Sequence, residues 1–159
     1  NGTSVRVWGD LFSHSPDLYE YDLAGVGDDD DQYVVVAAAS GVIMAIEDSN
    51  AEPTSSNNYV WIAHWNGEWT KYTHLETGSV TALGRNVGDI VFAGTVLGFE
   101  GDVGQAGGEH VHFEVVVPDD PLNAITGSGF AIGQPRVPLI CGIPGNIMYD
   151  GQTYTAGGC

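Results

Sequence analysis

The sequence is poor in basic residues, poor in cysteine and free of long apolar runs, and each scarcity excludes a class of function. Only Arg6, Lys71, Arg85 and Arg136 are basic against 21 acidic side chains, for a formal net charge of -17. Such a surface repels nucleic acid and anionic membrane, so neither is expected as a partner. No stretch of about 18 apolar residues occurs, so no membrane-spanning helix is expected. The two cysteines, Cys141 and Cys159, have the wrong spacing for a cysteine-based zinc site. Their expected role is a disulfide closing a glycine-rich loop, stabilising by about 3 kcal/mol and suited to an oxidising compartment. The first residues lack the charged-then-apolar plan of a signal peptide, so the expectation is a secreted chain whose leader has been removed.

Helical periodicity is scarce as well, and no convincing amphipathic helix can be drawn. What is present is 159 residues, 43% hydrophobic and 16% charged, enough for one globular domain with its own core. Apolar residues recur with period two, giving expected strands at 33–39, 41–47, 59–64, 68–75, 90–99 and 110–117, each bounded by Gly, Asn, Asp or Pro. The fold class expected is all-β, a compact antiparallel sandwich-like core of short strands. Asn66-Gly67 between two alternating arms predicts a hairpin with a type I′ turn. Strict alternation in its second arm sets Thr70, Tyr72 and His74 on one face, and Lys71, Thr73 and Leu75 on the other. From about residue 118 the chain turns rich in Gly and Pro and reads as a C-terminal wrap around a core at about 10–117, not a second domain. The acidic run 28–31 reads as a solvated loop, with calcium binding as its alternative.

The segment Gly107-Gly-Glu-His-Val-His-Phe-Glu-Val-Val-Val117 carries the chemistry. As a strand it projects His110, His112 and Glu114 from one face and packs Val111, Phe113 and Val115 beneath. Two imidazoles over an apolar floor suit a metal, one ligating while its neighbour moves protons. Glu114 either orients a ligand imidazole or is an exposed strand-end carboxylate. His64, on the first arm of the hairpin, reads as a core residue. Trp8, Trp61, Trp65 and Trp69 read as core or groove wall.

Three pieces in order, His14 with Tyr21-Asp22-Leu23, Tyr72-Thr-His-Leu75 and His110-Val-His-Phe-Glu114, give a chain that resembles the lysostaphin/LytM family of zinc metallopeptidases. Val36-Ala-Ala-Ala-Ser-Gly-Val42 and Ile62-Ala-His-Trp-Asn-Gly67 also look like that family. The resemblance runs from about Asp10 to Val117. It implies a LytM-type duplicated-hybrid-motif fold, with His14, Asp22 and His112 holding zinc and His74 and His110 as catalytic histidines. His110 would accept the proton of the attacking water and His74 would bond the developing oxyanion, two roles that are exchangeable. The family often sets its first His and Asp three residues apart, whereas seven residues separate His14 from Asp22, and Asp17 stands between as a rival ligand. Asp22 is preferred because Tyr19, Tyr21 and Leu23 alternate around it as on a strand, while Asp17 follows Pro16 in a turn.

The function so implied is a secreted, monomeric zinc endopeptidase cutting peptide cross-links of peptidoglycan, with glycine-rich proteins as a narrower substrate. Three readings compete with it. A histidine phosphocarrier of glucose-permease IIA type would also use two histidines on a β fold, but would need neither Asp22 nor the cysteines. A biotinyl or lipoyl carrier needs a lysine at a hairpin tip, and Lys71 falls inside an expected strand. An inactive LytM-like module regulating another cell-wall enzyme would typically have lost ligands, and none is missing.

Overall fold

Runs of β-branched and aromatic residues separated by glycine turns fold into short antiparallel strands, described by a computed structural model over residues 4–14, 19–26 and 32–155. In chain order these are β1 Ser4–Gly9, β2 Glu20–Gly25, β3 Val34–Val36, β4 Gly41–Glu47, β5 Tyr59–His64, β6 Trp69–Thr73, a one-turn helix α1 Ser79–Ala82, β7 Ile90–Val91, β8 Val96–Phe99, β9 Val111–Pro118, β10 Gly133–Arg136 and β11 Thr153–Thr155. The chain is therefore all-β. Asp17, residues 28–31 and Cys159 lie outside the described residues, and with them the rival ligand, the calcium alternative and one half of the expected disulfide. No helix among the described residues is long and apolar enough to cross a membrane.

Nine strands form one sheet in the order β11-β1-β2-β9-β6-β5-β4-β7, with β10 taking the edge of β9 beyond the end of β2. β3 and β8 pair separately. Val35 and Leu97 of this small sheet, Ala37 just after β3 and Val80 of α1 pack on one face of the large sheet, against Tyr21, Ile43, Val60, Ile62, Tyr72, Phe113 and Val115. Burial of such side chains at about 25 cal/mol per Å² of apolar surface is what holds the sandwich. A second cluster, Trp61, Trp69, Val116 and Ala124, lies on the other face of the large sheet, where residues 124–131 fold over it.

Three expectations change. The hairpin loop has only one residue with positive φ, Gly67 at 86°, not two. Gly67 N–H donates to His64 O and His64 N–H to Glu68 O, so the loop is three residues long with a glycine bulge rather than a type I′ turn. The strand expected at 90–99 is two strands, because Gly94 at φ 82° turns the chain between β7 and β8. Beyond residue 118 the chain is mostly irregular, yet β10 and β11 both join the large sheet, at β9 and β1.

Candidate active site

Register along the central strands arrays polar side chains in two rows on the face away from the main core. Gly9, Asp22, His112, Thr73 and Tyr59 are successive cross-strand partners through β1, β2, β9, β6 and β5. One step along, Glu20, Glu114, Lys71 and Trp61 form the second row. The alternation expected for β9 is observed: Val111, Phe113 and Val115 enter the core, and His110, His112 and Glu114 line the opposite groove. Alternation fails at one residue of the hairpin arm. His74 has φ 65°, and this left-handed step turns its ring to the face of Lys71 and Thr73, leaving Leu75 fully buried in the core.

His14, Asp22, His74, His110 and His112 all line one groove of about 510 Å³. Asp22 is its hub. Its Oδ2 lies 3.1 Å from His14 Nε2, and its Oδ1 lies 2.8 Å from His112 Nδ1 and 3.5 Å from His110 Nε2. His14 sits in the turn after β1, where Asp10 Oδ1 accepts from Phe12 N–H and Ser13 Oγ, and Asp10 Oδ2 accepts from Asp150 N–H. Asp10 also fixes the ring, because His14 Nδ1 donates to Asp10 O at 3.3 Å and so presents Nε2 to Asp22. The rings of His74 and His110 are 4.7 Å apart. Their Nδ1 atoms donate to Val103 O at 2.9 Å and Gly108 O at 2.8 Å, which leaves Nε2 of each as the reactive nitrogen.

Electrostatics divides the histidines. Asp22 is half-buried, and this desolvation opposes ionisation, but its close contacts with His110, His112 and His14 hold it well below the usual carboxylate range. His112 is likewise disfavoured as a cation by burial, yet its bonds to Asp22 and Glu20 push it up to about 9. His14 is raised by its bond to Asp22, against burial. His74 moves the other way, to about 4, because burial dominates and the neighbouring His110 and His112 add repulsion.

The remaining candidates fall elsewhere. His64 donates to Ser40 O and bonds Thr70 Oγ1 on the opposite face of the sheet, outside the groove. Glu114 neither orients an imidazole nor is exposed: it pairs with Lys71 at 3.0 Å. Trp61 and Trp69 are buried, Trp8 stands 5.7 Å from His110 between ring centres, and Trp65 is exposed at the hairpin loop. Glu20, which the sequence reading passed over, places Oε2 3.3 Å from His112 Nε2. Its signal was present, since residue 20 shares a strand face with residue 22.

Two groups among the described residues have the donors to hold a metal, with ligand atoms within 4.8 Å of one another: His14, Asp22 and His112, and Glu20, His112 and Glu114. The first suits Zn²⁺, since two imidazoles and one carboxylate leave a position open. The second is disfavoured because the Lys71 ammonium already occupies Glu114.

A family model, Peptidase family M23, matches residues 26–124. The chain belongs to this peptidase family. The matched span holds His74, His110 and His112 but stops short of His14 and Asp22, which the β2 to β9 pairing brings alongside. Among curated relatives, the peptidoglycan DD-endopeptidase ShyA of Vibrio cholerae is 30% identical over 89 residues, 56% of this chain but 18% of its own length. The chain thus spans under a fifth of that relative. Among solved structures, the catalytic domain of the prophage-encoded M23 protein EnpA from Enterococcus faecalis is 19% identical, covering 87% of this chain and 92% of that one with a TM-score of 0.55. The deep-sea M23 metalloprotease Pseudoalterin is 23% identical, covering 98% and 88%, with a TM-score of 0.50. At these identities the structures share the fold. Membership of a peptidase family speaks against the phosphocarrier and biotinyl-carrier readings.

Proposed function

We propose that this M23 peptidase is a secreted zinc endopeptidase that hydrolyses peptide cross-links of peptidoglycan, with small residues such as glycine at the cut. The observation that carries the reading is the gathering of His14, Asp22 and His112, with His74 and His110 on the same groove wall. His14 through Nε2, Asp22 through its carboxylate and His112 through Nδ1 would hold the ion. Zinc, when bound, supplies Lewis acidity and acidifies water toward neutral pH.

The chain's own residues handle protons and position. His110 Nε2 is the proposed acceptor of the water proton, because Gly108 O holds the proton on Nδ1. His74 lies beside it as the group that stabilises the developing oxyanion. Burial keeps His74 neutral at neutral pH with Nε2 unprotonated, so it bonds the oxyanion only once Nε2 has gained a proton; it is equally equipped to take the first proton from the water, and the two roles remain exchangeable. The similarity to ShyA, a peptidoglycan DD-endopeptidase, supports peptidoglycan as the substrate.

The test is digestion of purified peptidoglycan, with mass analysis of the new termini, in the presence and absence of a chelator. New peptide termini that vanish with chelator and return with zinc support the reading. Chelator-insensitive cleavage, or no cleavage at all, overturns it.

A further inference from the structure

Glu20 and Glu114 are direct cross-strand partners on β2 and β9, each about nine-tenths buried. Like charges directly opposite one another destabilise a sheet, and buried carboxylates need partners. Glu114 has one in Lys71, the chain's only lysine, 4% exposed, with its ammonium 3.0 Å from Oε1. Lys71 is itself held among the rings of Tyr59, Trp61 and Phe130, at 5.7, 5.4 and 5.2 Å from their centres. With Lys71 and Glu114 satisfied by each other, Glu20 is left facing the imidazole of His112, at 3.3 Å from Nε2.

We infer that Glu20 is a positioning residue that fixes which nitrogen of His112 faces the metal. A carboxylate at Nε2 accepts its proton's hydrogen bond, so Nε2 stays protonated and Nδ1 turns its lone pair toward Asp22 and His14. Asp22 Oδ1 at 2.8 Å from Nδ1 marks the direction in which that lone pair is aimed. Without Glu20 the ring has no constraint at Nε2, and both tautomers and both ring flips compete. The inference rests on the zinc reading for its consequence but not for its geometry. Glu20 precedes the segment matched by the family model, and nothing in that match requires an acid there.

The experiment combines zinc competition against a chromogenic chelator with nitrogen-15 histidine NMR on the whole protein, for wild type, Glu20→Ala and Glu20→Gln. The expected result is a zinc dissociation constant raised 10- to 100-fold in Glu20→Ala, about the usual cost of losing such a support. Wild type should show His112 with a protonated Nε2 and a metal-shifted Nδ1, and Glu20→Ala should lose the single Nε2–H signal. Glu20→Gln, whose amide oxygen still accepts, should recover both readouts in part, and it carries the test if Glu20→Ala does not fold. Wild-type affinity in Glu20→Ala, or in Glu20→Gln no better than in Glu20→Ala, overturns the inference, as does zinc on Nε2 in the wild type. A wild type that takes up no zinc defeats the proposed function instead, and the Nε2–H signal of His112 then decides on Glu20 alone.

Discussion

Two backbone positions decide whether the cluster can form. Gly9 lies at the bulge of β1 opposite Asp22, and a methyl group there would come 2.8 Å from Asp22 Oδ2 and 2.9 Å from His14 Cε1. Gly9→Ala should therefore lose zinc while keeping most of its thermal stability, checked by metal content and calorimetry. Zinc retained in full would show that the turn yields at no cost. His74 is the second case, a non-glycine residue with φ 65° that costs about 1–2 kcal/mol to hold. His74→Asn, a residue that tolerates this conformation, should fold as stably as wild type, whereas His74→Val should be destabilised by about 2 kcal/mol, and both should be inactive. Denaturant unfolding of the pair separates backbone from chemistry. Protons compete with the metal at the same scale. His112 is raised to about 9 and His14 is raised, and each must lose a proton to ligate, so zinc binding should tighten as pH rises from 6.5 to 9, about tenfold per unit for each proton displaced. Affinity that is flat over that range, in pH-stepped competition titrations, would rule out proton displacement.

Elements were legible where one face is apolar and the period is two. β9 was read correctly down to which side His110 and His112 take, because Val111, Phe113 and Val115 declare the core face. The side of His74 was not legible, since a single left-handed residue reverses the alternation without a sequence signal. Asp22 was placed on a strand by its neighbours, but its meeting with His112 comes from β2 pairing with β9, a contact between residues 90 apart. The role of Glu20 is not legible locally, since its approach to His112 depends on the register of β2 against β9. The short β10 and β11 were missed because Gly and Pro mask a strand that gains its stability from the sheet edge it joins. The second row makes its own prediction. Lys71→Met leaves Glu114 buried and unpaired, which should cost about 3–5 kcal/mol, while Lys71→Met with Glu114→Leu should recover most of it. Unfolding midpoints of both variants check this, and a double variant as unstable as the single one would show that the pair is needed for more than its own neutrality.

At the scale of the molecule, charge is the property that the sequence states most plainly and the fold does least to offset. The formal net charge is -17, and the four basic side chains cannot pair most of the carboxylates. The single ion pair between a lysine or arginine and a carboxylate among the described residues, Lys71 with Glu114, is buried and weakly screened. Added salt therefore has little attraction to remove and much repulsion to relieve. Raising sodium chloride from 0.05 to 0.5 M shortens the screening length from over 10 Å to about 4 Å, and the thermal midpoint should rise by several degrees, for a gain of roughly 1–2 kcal/mol. Sodium sulfate would also strengthen apolar burial, so chloride is the salt to use in calorimetry. A midpoint that falls with chloride would mean that the acidic surface is stabilised by ion pairs, contrary to the scarcity of partners in the chain.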